Sequence, residues 1–304
     1  MNDDALERVQ RSIPPGTLDA LAGLPGTDLT TAMIELSRRR AEGLTPSGVL
    51  GRYRDDRFVR PGQVEPATVR AVEAKLFALL PKGFEEIALS PLVPIGTHGV
   101  GGVAQSRLLT TDRATEVAAD PTNGLALEAA LRRRALPPRS PERVHLAGSQ
   151  RVVRAQRFED DAAYSHFQLF GLVSAGRDIG NLGFEREVLV EHLRFLSDAI
   201  TRVSDAGAVV TLTDWSEGRM APVVDTVSGA LGPDDVRLDP DRRAARGYYQ
   251  GVCFKVHVVG KNGPFEVADG GFVDWTQKLL GNRKERLLIS GLGVERLVIA
   301  ANGA

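Results

Sequence analysis

The sequence predicts an α+β fold in which helices pack on an antiparallel sheet. Three observations carry this. Runs with strand character come in adjacent pairs, RVHLAGSQRVVRAQRF with HFQLFGLVSAG and YYQGVCFKVHVV with FEVADGG, and neighbouring strands of this kind pair as antiparallel ladders. Neither GxxxxGK[ST] nor a GxGxxG between a strand and a helix occurs, which removes the phosphate loops of doubly wound sheets. The segments ATVRAVEAKLFALL and EVLVEHLRFLSDAITRVSDAG are amphipathic at helical spacing and supply apolar faces to lay on a sheet.

The elements follow in order. Residues 1–62 read as a helical N-terminal extension, with ALERVQRSI, LDALAGL and LTTAMIELSRRRAEG broken by PPG and LPGTD and closed by the charged connector RYRDDRFVRPGQ; apolar positions three and four apart with Pro/Gly breaks predict short helices. Residues 63–304 form the main unit. A helix from Glu65 stops at Pro81 and Gly83, and FEEIALSPLVP reads as one strand that closes at prolines. The glycines of GTHGVGGVAQ, residues 96–105, suit a mobile hairpin tip better than a phosphate loop. LALEAALRRRAL is a helix, AVVTLTDW a strand, and GPDDVRLDPDRRAARG a polar connection. A hairpin turning at GKNG, a helix DWTQKLL, a strand LLISGLG and a helix VERLVIAA complete the chain.

Composition narrows the partners. The 304 residues carry 38 basic and 39 acidic side chains, a formal net charge of -1, so no overall field draws the chain to DNA or to an anionic membrane. The basic strings SRRR and RALPPRSPER read as solvated surface. One cysteine, Cys253, excludes an intramolecular disulfide and fits a reducing compartment. No apolar run is long enough for a membrane span and the N-terminus MNDDALERVQ is acidic, so a cytoplasmic location is expected. Histidines 98, 145, 166, 192 and 257 lack metal-ligand spacing, and no metal site is expected.

GLGVERL, residues 291–297, places Arg296 in an apolar setting. A guanidinium keeps its charge and is best held by a carboxylate or a phosphate; the alternative is a helix face that points Arg296 to solvent. A second arginine, Arg154, closes an apolar strand, with Gln168 on the returning strand fourteen residues later. Arg154 as a phosphate ligand stands against Arg154 as a cross-strand partner of Glu159 or Asp160.

Together these segments resemble the class II aminoacyl-tRNA synthetase core: Arg154 on a motif 2 strand with an F-x-Q-like return, GLGVERL as motif 3, and GFEEIALSPLVP as motif 1 ending at Pro91. YYQGVCFKV and ADGGFVDWTQKLL resemble segments of the histidyl-tRNA synthetase group, which includes the regulatory subunit of ATP phosphoribosyltransferase. The resemblance covers residues 65–304 and implies an ATP site with Mg2+, in which Arg154 grips the α-phosphate and Arg296 the γ-phosphate, with Gln156, Arg157, Gly293 and Glu295 beside them. Gln168 is a third catalytic candidate, facing the same cleft, and Thr122, Gln168, Tyr248, Tyr249 and Asp269 are the substrate-binding candidates. It also implies a homodimer through the helix from Glu65 and the strand at Ile87.

Departures from the family pattern shape the expectation. The motif 2 glutamate is Gln156, the glutamate that binds the histidine ammonium falls on Thr122, a second falls on Leu172, the motif 2 loop arginine on Ala162, and the catalytic arginine on Ala244 with Arg243 and Arg246 nearby. Loss of two carboxylates for an ammonium argues against histidine as substrate. The chain ends seven residues after GLGVERL, so no anticodon-binding domain is expected; tRNA is a possible acceptor that no such domain supports. Three functions are consistent with this: an enzyme that forms an adenylate of an amino acid or related acid, a non-catalytic regulatory subunit, or an interaction domain without ligand.

Overall fold

A computed structural model of the chain describes residues 3–155, 165–232, 234–260 and 263–303. Four helices come first, α1 (Asp3–Ser12), α2 (Thr17–Ala22), α3 (Gly26–Glu42) and α4 (Pro46–Asp55). Thr45 starts α4 by accepting the Gly48 N–H at 3.1 Å, and Pro46 at the first helical position loses no needed donor. Helices α2, α3 and α4 bury no residue. The arm touches the rest of the chain through, among others, the Ser37 hydroxyl, which donates to Asp112 at 2.7 Å, Arg57, which donates to the Ala155 carbonyl and the Ser165 hydroxyl, and the Arg60 carbonyl, which lies 2.5 Å from His166 Nε2.

The rest alternates strands and helices: α5 (Pro66–Ala78), β1 (Phe84–Glu86), β2 (Leu92–Pro94), α6 (Thr97–Val100), β3 (Thr115–Val117), α7 (Pro121–Ala135), β4 (Val144–Val153), β5 (His166–Arg177), α8 (Gly183–Ser204), β6 (Gly207–Asp214), α9 (Ala221–Leu231), β7 (Val236–Leu238), β8 (Val252–Gly260), β9 (Gly263–Val273), α10 (Trp275–Leu280), β10 (Glu285–Gly293) and α11 (Val294–Gly303). One sheet runs β1-β4-β5-β10-β9-β8-β6-β7, and β2 pairs with β3 apart from it. Its inner strands are antiparallel as expected, while the edge strands β1 and β7 pair parallel to β4 and β6, so the sheet is mixed.

FEEIALSPLVP is two strands rather than one. Ser90 accepts the Leu92 N–H at 3.2 Å and Pro91 has no N–H for a ladder. The chain therefore turns off β4 after Ile87, whose N–H still bonds the Ala147 carbonyl at 2.8 Å. The helices α4, α6 and α9 and the strands β3 and β7 are additions to the sequence reading.

Each face of the sheet has its own helices. On one, α8 lays Val188, Leu189, His192, Leu193, Leu196, Ala199 and Ile200 against Leu172, Leu212 and Phe254 with α5, α9 and α11 beside it, a stripe at three and four residue spacing. On the other, Leu125, Ala126 and Ala129 of α7 and Trp275 of α10 cover Leu146, Val173 and Ile289. A polar chain crosses the first face: His145 Nδ1 lies 2.7 Å from Ser174 Oγ, Ser174 Oγ 2.8 Å from His192 Nε2, and His192 Nδ1 2.6 Å from Ser290 Oγ. Burial holds His192 down at about 3 and His145 down at about 4. An ion pair staples α7 to the start of β10, where Arg133 Nε and Nη2 donate to Glu285 at 2.9 and 3.1 Å. Both side chains are buried, and Arg133 also donates to the Glu142 carbonyl.

Candidate functional site

Directly paired residues on neighbouring strands share a face, and this gives the second face a bare centre. Gly148 of β4 pairs with Gly171 of β5, Gly171 with Gly291 of β10, and Gly291 with Asp269 of β9. One step along the strands, Leu169 pairs with Gly293; one step the other way, Ile289 pairs with Gly271. Four of these glycines have different ceilings. A Cβ on Gly171 would meet Pro121 at 2.9 Å, one on Gly271 would meet Tyr249 at 2.7 Å, and one on Gly293 would meet the Arg296 side chain at 3.2 Å. Above Gly291 a Cβ would find only Leu169 at 3.8 Å and the Asp269 carbonyl at 4.0 Å. The result, among the described residues, is an open backbone floor at Gly291 with walls from the start of α7, the Tyr249 loop, and α11.

The α7 wall begins at Asp120, the helix N-cap, whose Oδ1 accepts the Thr122 N–H at 2.9 Å and the Thr122 hydroxyl at 2.7 Å. Its Oδ2 accepts from Arg154 Nη2 at 3.2 Å, while Arg154 Nε donates to the Ala119 carbonyl at 2.9 Å. The guanidinium lies 5.1 Å from the Phe167 ring and keeps a third of its side chain exposed. Among the described residues the acidic partner of Arg154 is Asp120; the sequence alternatives were Glu159 and Asp160. Those two acids, Gln156, Arg157 and Ala162 lie outside the described residues.

The opposite wall centres on Asp269. Tyr249 donates its hydroxyl to Oδ1, and Arg242 Nη2 donates to Oδ2 at 2.6 Å. Arg242 is buried and also donates to the Phe254 and Ala244 carbonyls, both at 3.2 Å. Burial pushes the Asp269 carboxyl above its usual value against the opposing pull of Arg242. Burial raises Tyr249 well above the ordinary phenol, helped by Asp269, and raises Tyr248 as well. Tyr248 stands edge-on to Tyr249 and Trp275, so its ring is part of the wall's packing. Cys253, paired with Gly271 on the same face, is pushed by burial up to about 12 and stays a thiol.

Arg242 is the guanidinium that sequence reasoning missed. The family spacing pointed to Ala244, with Arg243 or Arg246 as substitutes; instead Arg242 reaches inward, and Arg243 and Arg246 are exposed. Its only sequence signal is membership of an arginine-rich loop before the tyrosine pair.

Arg296 folds its side chain over Gly293, and Nε donates to the Glu266 carbonyl at 3.0 Å with the guanidinium 4.7 Å from the Phe265 ring. No acidic side chain among the described residues pairs with it. Its terminal nitrogens are therefore available to an anion. The neighbouring Glu295 is turned the other way and buried, accepting from Arg151 Nη2 at 2.7 Å and from the Gln168 N–H at 2.8 Å. That makes it a brace between α11 and the β4–β5 pair.

Gln168 does not face the cleft. Its Nε2 donates to Glu73 of α5 at 2.8 Å and to Ser149 at 3.1 Å, because strand residues alternate and the cleft side belongs to Phe167 and Leu169. By the same parity Leu172 packs against the α8 side and Val173 faces the cleft side. The Gly-rich segment 96–105 differs from the expected mobile tip. Glu116 of β3 is fully buried and gathers it, accepting from the Gly96 and His98 N–H groups at 3.2 and 3.0 Å, from Gln105 at 3.2 Å, and from the His98 ring at 2.6 Å. His98 Nε2 accepts the Ala119 N–H at 3.0 Å, which assigns its proton to Nδ1. These bonds hold Glu116 below the usual carboxylate range against the effect of burial.

No sequence-family model and no curated relative matches the chain. Solved structures do match. An ATP phosphoribosyltransferase regulatory subunit/histidyl-tRNA synthetase from Bacillus halodurans aligns over 80% of this chain and 83% of its own length with a TM-score of 0.61 at 16% identity. The chain has a class II synthetase fold. Apo histidyl-tRNA synthetase from S. aureus aligns over 80% of this chain and 68% of its own, with a TM-score of 0.59 at 18% identity. Pyrrolysyl-tRNA synthetase from Desulfitobacterium hafniense aligns over 84% and 74%, with a TM-score of 0.52 at 14% identity. Within this class II synthetase fold the floor at Gly291 is flanked by three guanidiniums, Arg154, Arg242 and Arg296, and two carboxylates, Asp120 and Asp269, which leaves one positive charge. No helix among the described residues is long and apolar enough to cross a membrane.

Proposed function

We propose that this chain binds ATP over the Gly291 floor and activates a carboxylic acid, an amino acid or a relative other than histidine, as its adenylate. The observation that carries this reading is the uncovered backbone at Gly291 beside Arg296, whose guanidinium has no acidic partner among the described residues. A flat base or sugar can lie on peptide groups only where no Cβ intervenes, and the guanidinium supplies a fork for phosphate oxygens.

In the proposed reaction Arg154 neutralises the α-phosphate and Arg296 the γ-phosphate, roles taken from the class II resemblance. A carboxylate oxygen of the substrate attacks the α-phosphorus, the bond from that phosphorus to the bridging oxygen breaks, and pyrophosphate leaves with its electron pair. Fixed guanidiniums stabilise charge that grows in this step. Among the described residues no group of three His, Cys, Asp or Glu side chains is placed to hold a metal; a Mg2+ ion entering with ATP would be held by phosphate oxygens and water with one or two carboxylates at most, and would supply positive charge to the phosphates. Asp269, already bonded to Tyr249 and Arg242, offers its remaining lone pairs to an N–H or ammonium of the substrate. Thr122 in place of a carboxylate, with its hydroxyl committed to Asp120, disfavours the histidine zwitterion. The acceptor of the adenylate is a thiol, an amine or a tRNA.

ATP–pyrophosphate exchange with a panel of amino and organic acids tests the reading. Exchange that Arg296→Ala abolishes is expected; no exchange together with no ATP binding rejects it.

A second reading has its own observation, the Arg154–Asp120 pair, which a nucleotide must displace. On that reading the chain is a regulatory subunit, and purification from its host recovers a phosphoribosyltransferase catalytic chain. In both readings the chain is a homodimer through α5 and the segment at Ile87.

A further inference from the structure

A second cleft, of about 560 Å3, opens where β9 ends and β10 begins, between the first turn of α8 and the loops 215–220 and 246–251. Val273 on its wall lies four residues along β9 from Asp269, about 13 Å at the usual rise of a strand, so the cleft opens away from the Gly291 floor, with Tyr249 as the wall the two share. Its depth holds a carboxylate that the fold leaves half satisfied. Glu185 is 5% exposed, and its Oε1 accepts from Arg286 Nε at 2.8 Å, whereas Oε2 is buried without a hydrogen-bond partner among the described residues. A buried carboxylate oxygen with no donor carries its full desolvation cost, so the site calls for an N–H or ammonium.

The mouth has the opposite polarity. Arg219 commits only Nε, to the Ser216 carbonyl at 2.9 Å, and the Arg246 guanidinium has no hydrogen bond or ion pair among the described residues. Trp215 and Phe272 line the walls between these ends. The lining thus places one unpartnered acceptor beside the committed Arg286 at the bottom, the free Arg246 and partly committed Arg219 guanidiniums at the top, and aromatic surface between.

We propose that this cleft is a second small-molecule site, for an organic anion that also carries an amino group. The ammonium donates to Glu185 Oε2, the phosphate or carboxylate sits between Arg219 and Arg246, and the carbon skeleton runs past Trp215 and Phe272. The proposed ligand contacts, Glu185, Arg219 and Arg246, take no part in the nucleotide reading, although Tyr249 borders both sites.

Phosphoethanolamine joins both required groups and serves as the probe, with inorganic phosphate and ethanolamine as its separate halves. Calorimetric titration of the full chain should give saturable binding of phosphoethanolamine that is tighter than either half. Glu185→Gln keeps the shape and an acceptor for Arg286; it should weaken phosphoethanolamine by about tenfold and leave inorganic phosphate unchanged. Arg246→Ala, on the exposed rim where the fold does not depend on it, should weaken both anions. Arg296→Ala, which removes ATP binding in the proposed function, should leave phosphoethanolamine binding intact, so the two readings fail separately. No saturable binding in chain that unfolds cooperatively, binding no tighter than that of phosphate alone, or equal affinity in Glu185→Gln overturns the assignment, with Glu185 then satisfied by water only.

Discussion

Replacing Gly291 by alanine separates the floor's structural role from its ligand role. The added Cβ meets Leu169 at 3.8 Å and the Asp269 carbonyl at 4.0 Å, ordinary van der Waals distances, and Gly291 does not have a positive φ. Folding stability should therefore change by less than about 1 kcal/mol, with a small gain from the stiffer unfolded chain. A ligand lying on the floor meets a different situation, because the methyl carbon stands about 1.5 Å above the backbone and lifts whatever rests there by a similar amount. A displacement on the order of 1 Å at a reacting group costs about 100-fold in rate, so exchange activity should fall by about that factor. The control is Gly270→Ala on the other face, where a Cβ would sit 2.5 Å from the Ile289 carbonyl and against the Phe254 ring. That variant should lose stability by several kcal/mol, about the scale of an overpacked core. Urea unfolding and ATP–pyrophosphate exchange on the two variants decide the matter. Unchanged ATP affinity and exchange in Gly291→Ala would show that no ligand lies over that residue.

Glu285→Ala, which strands the buried Arg133 guanidinium, should cost about 3–5 kcal/mol in urea unfolding, and the double replacement with Arg133→Met should recover part of that loss. His192 and His145 have folded values of about 3 and about 4, below the unfolded value near 6.5, so the unfolded chain takes protons first as pH falls. Their contribution is complete above about pH 6.5 and is lost toward pH 4 and 3, about 2 kcal/mol each by pH 5. His192→Gln should flatten the slope of stability between pH 6.5 and 5; a slope equal to the parent's would contradict it. Glu191, 3.7 Å from His145 and raised by burial, acts in the opposite sense and is common to both proteins. Light scattering at micromolar concentration should give a homodimer, and a monomer would count against the α5 and Ile87 interface.

The sheet was legible because its strands are long and arrive in pairs, and GLGVERL stood out because two glycines precede an arginine inside an apolar run. Facing was harder to read. β5 is buried on both sides along most of its length, so HFQLFGLVSAG offers no alternation to tell the cleft side from the helix side, and Gln168 was placed on the wrong one. Pairing register settles it, and register is a tertiary property. The order of the segment 96–105 depends on Glu116, more than ten residues further on, whose bonds no local pattern announces. Arg242 was hidden for a related reason, since its partner Asp269 lies 27 residues away beyond a whole hairpin. Thr122 was noticed at a family position, but its hydroxyl is spent on Asp120, the carboxylate that caps α7, an arrangement that the DPT string also encodes.

The peptide surface at Gly291 has one more implication. Amide planes look alike to any flat guest, so on the proposed reading selectivity would be delegated to Pro121, Tyr249 and Arg296, which converge from three remote stretches of the chain. A new preference can arise by shifting one of those three contributors, while the platform beneath stays as it is.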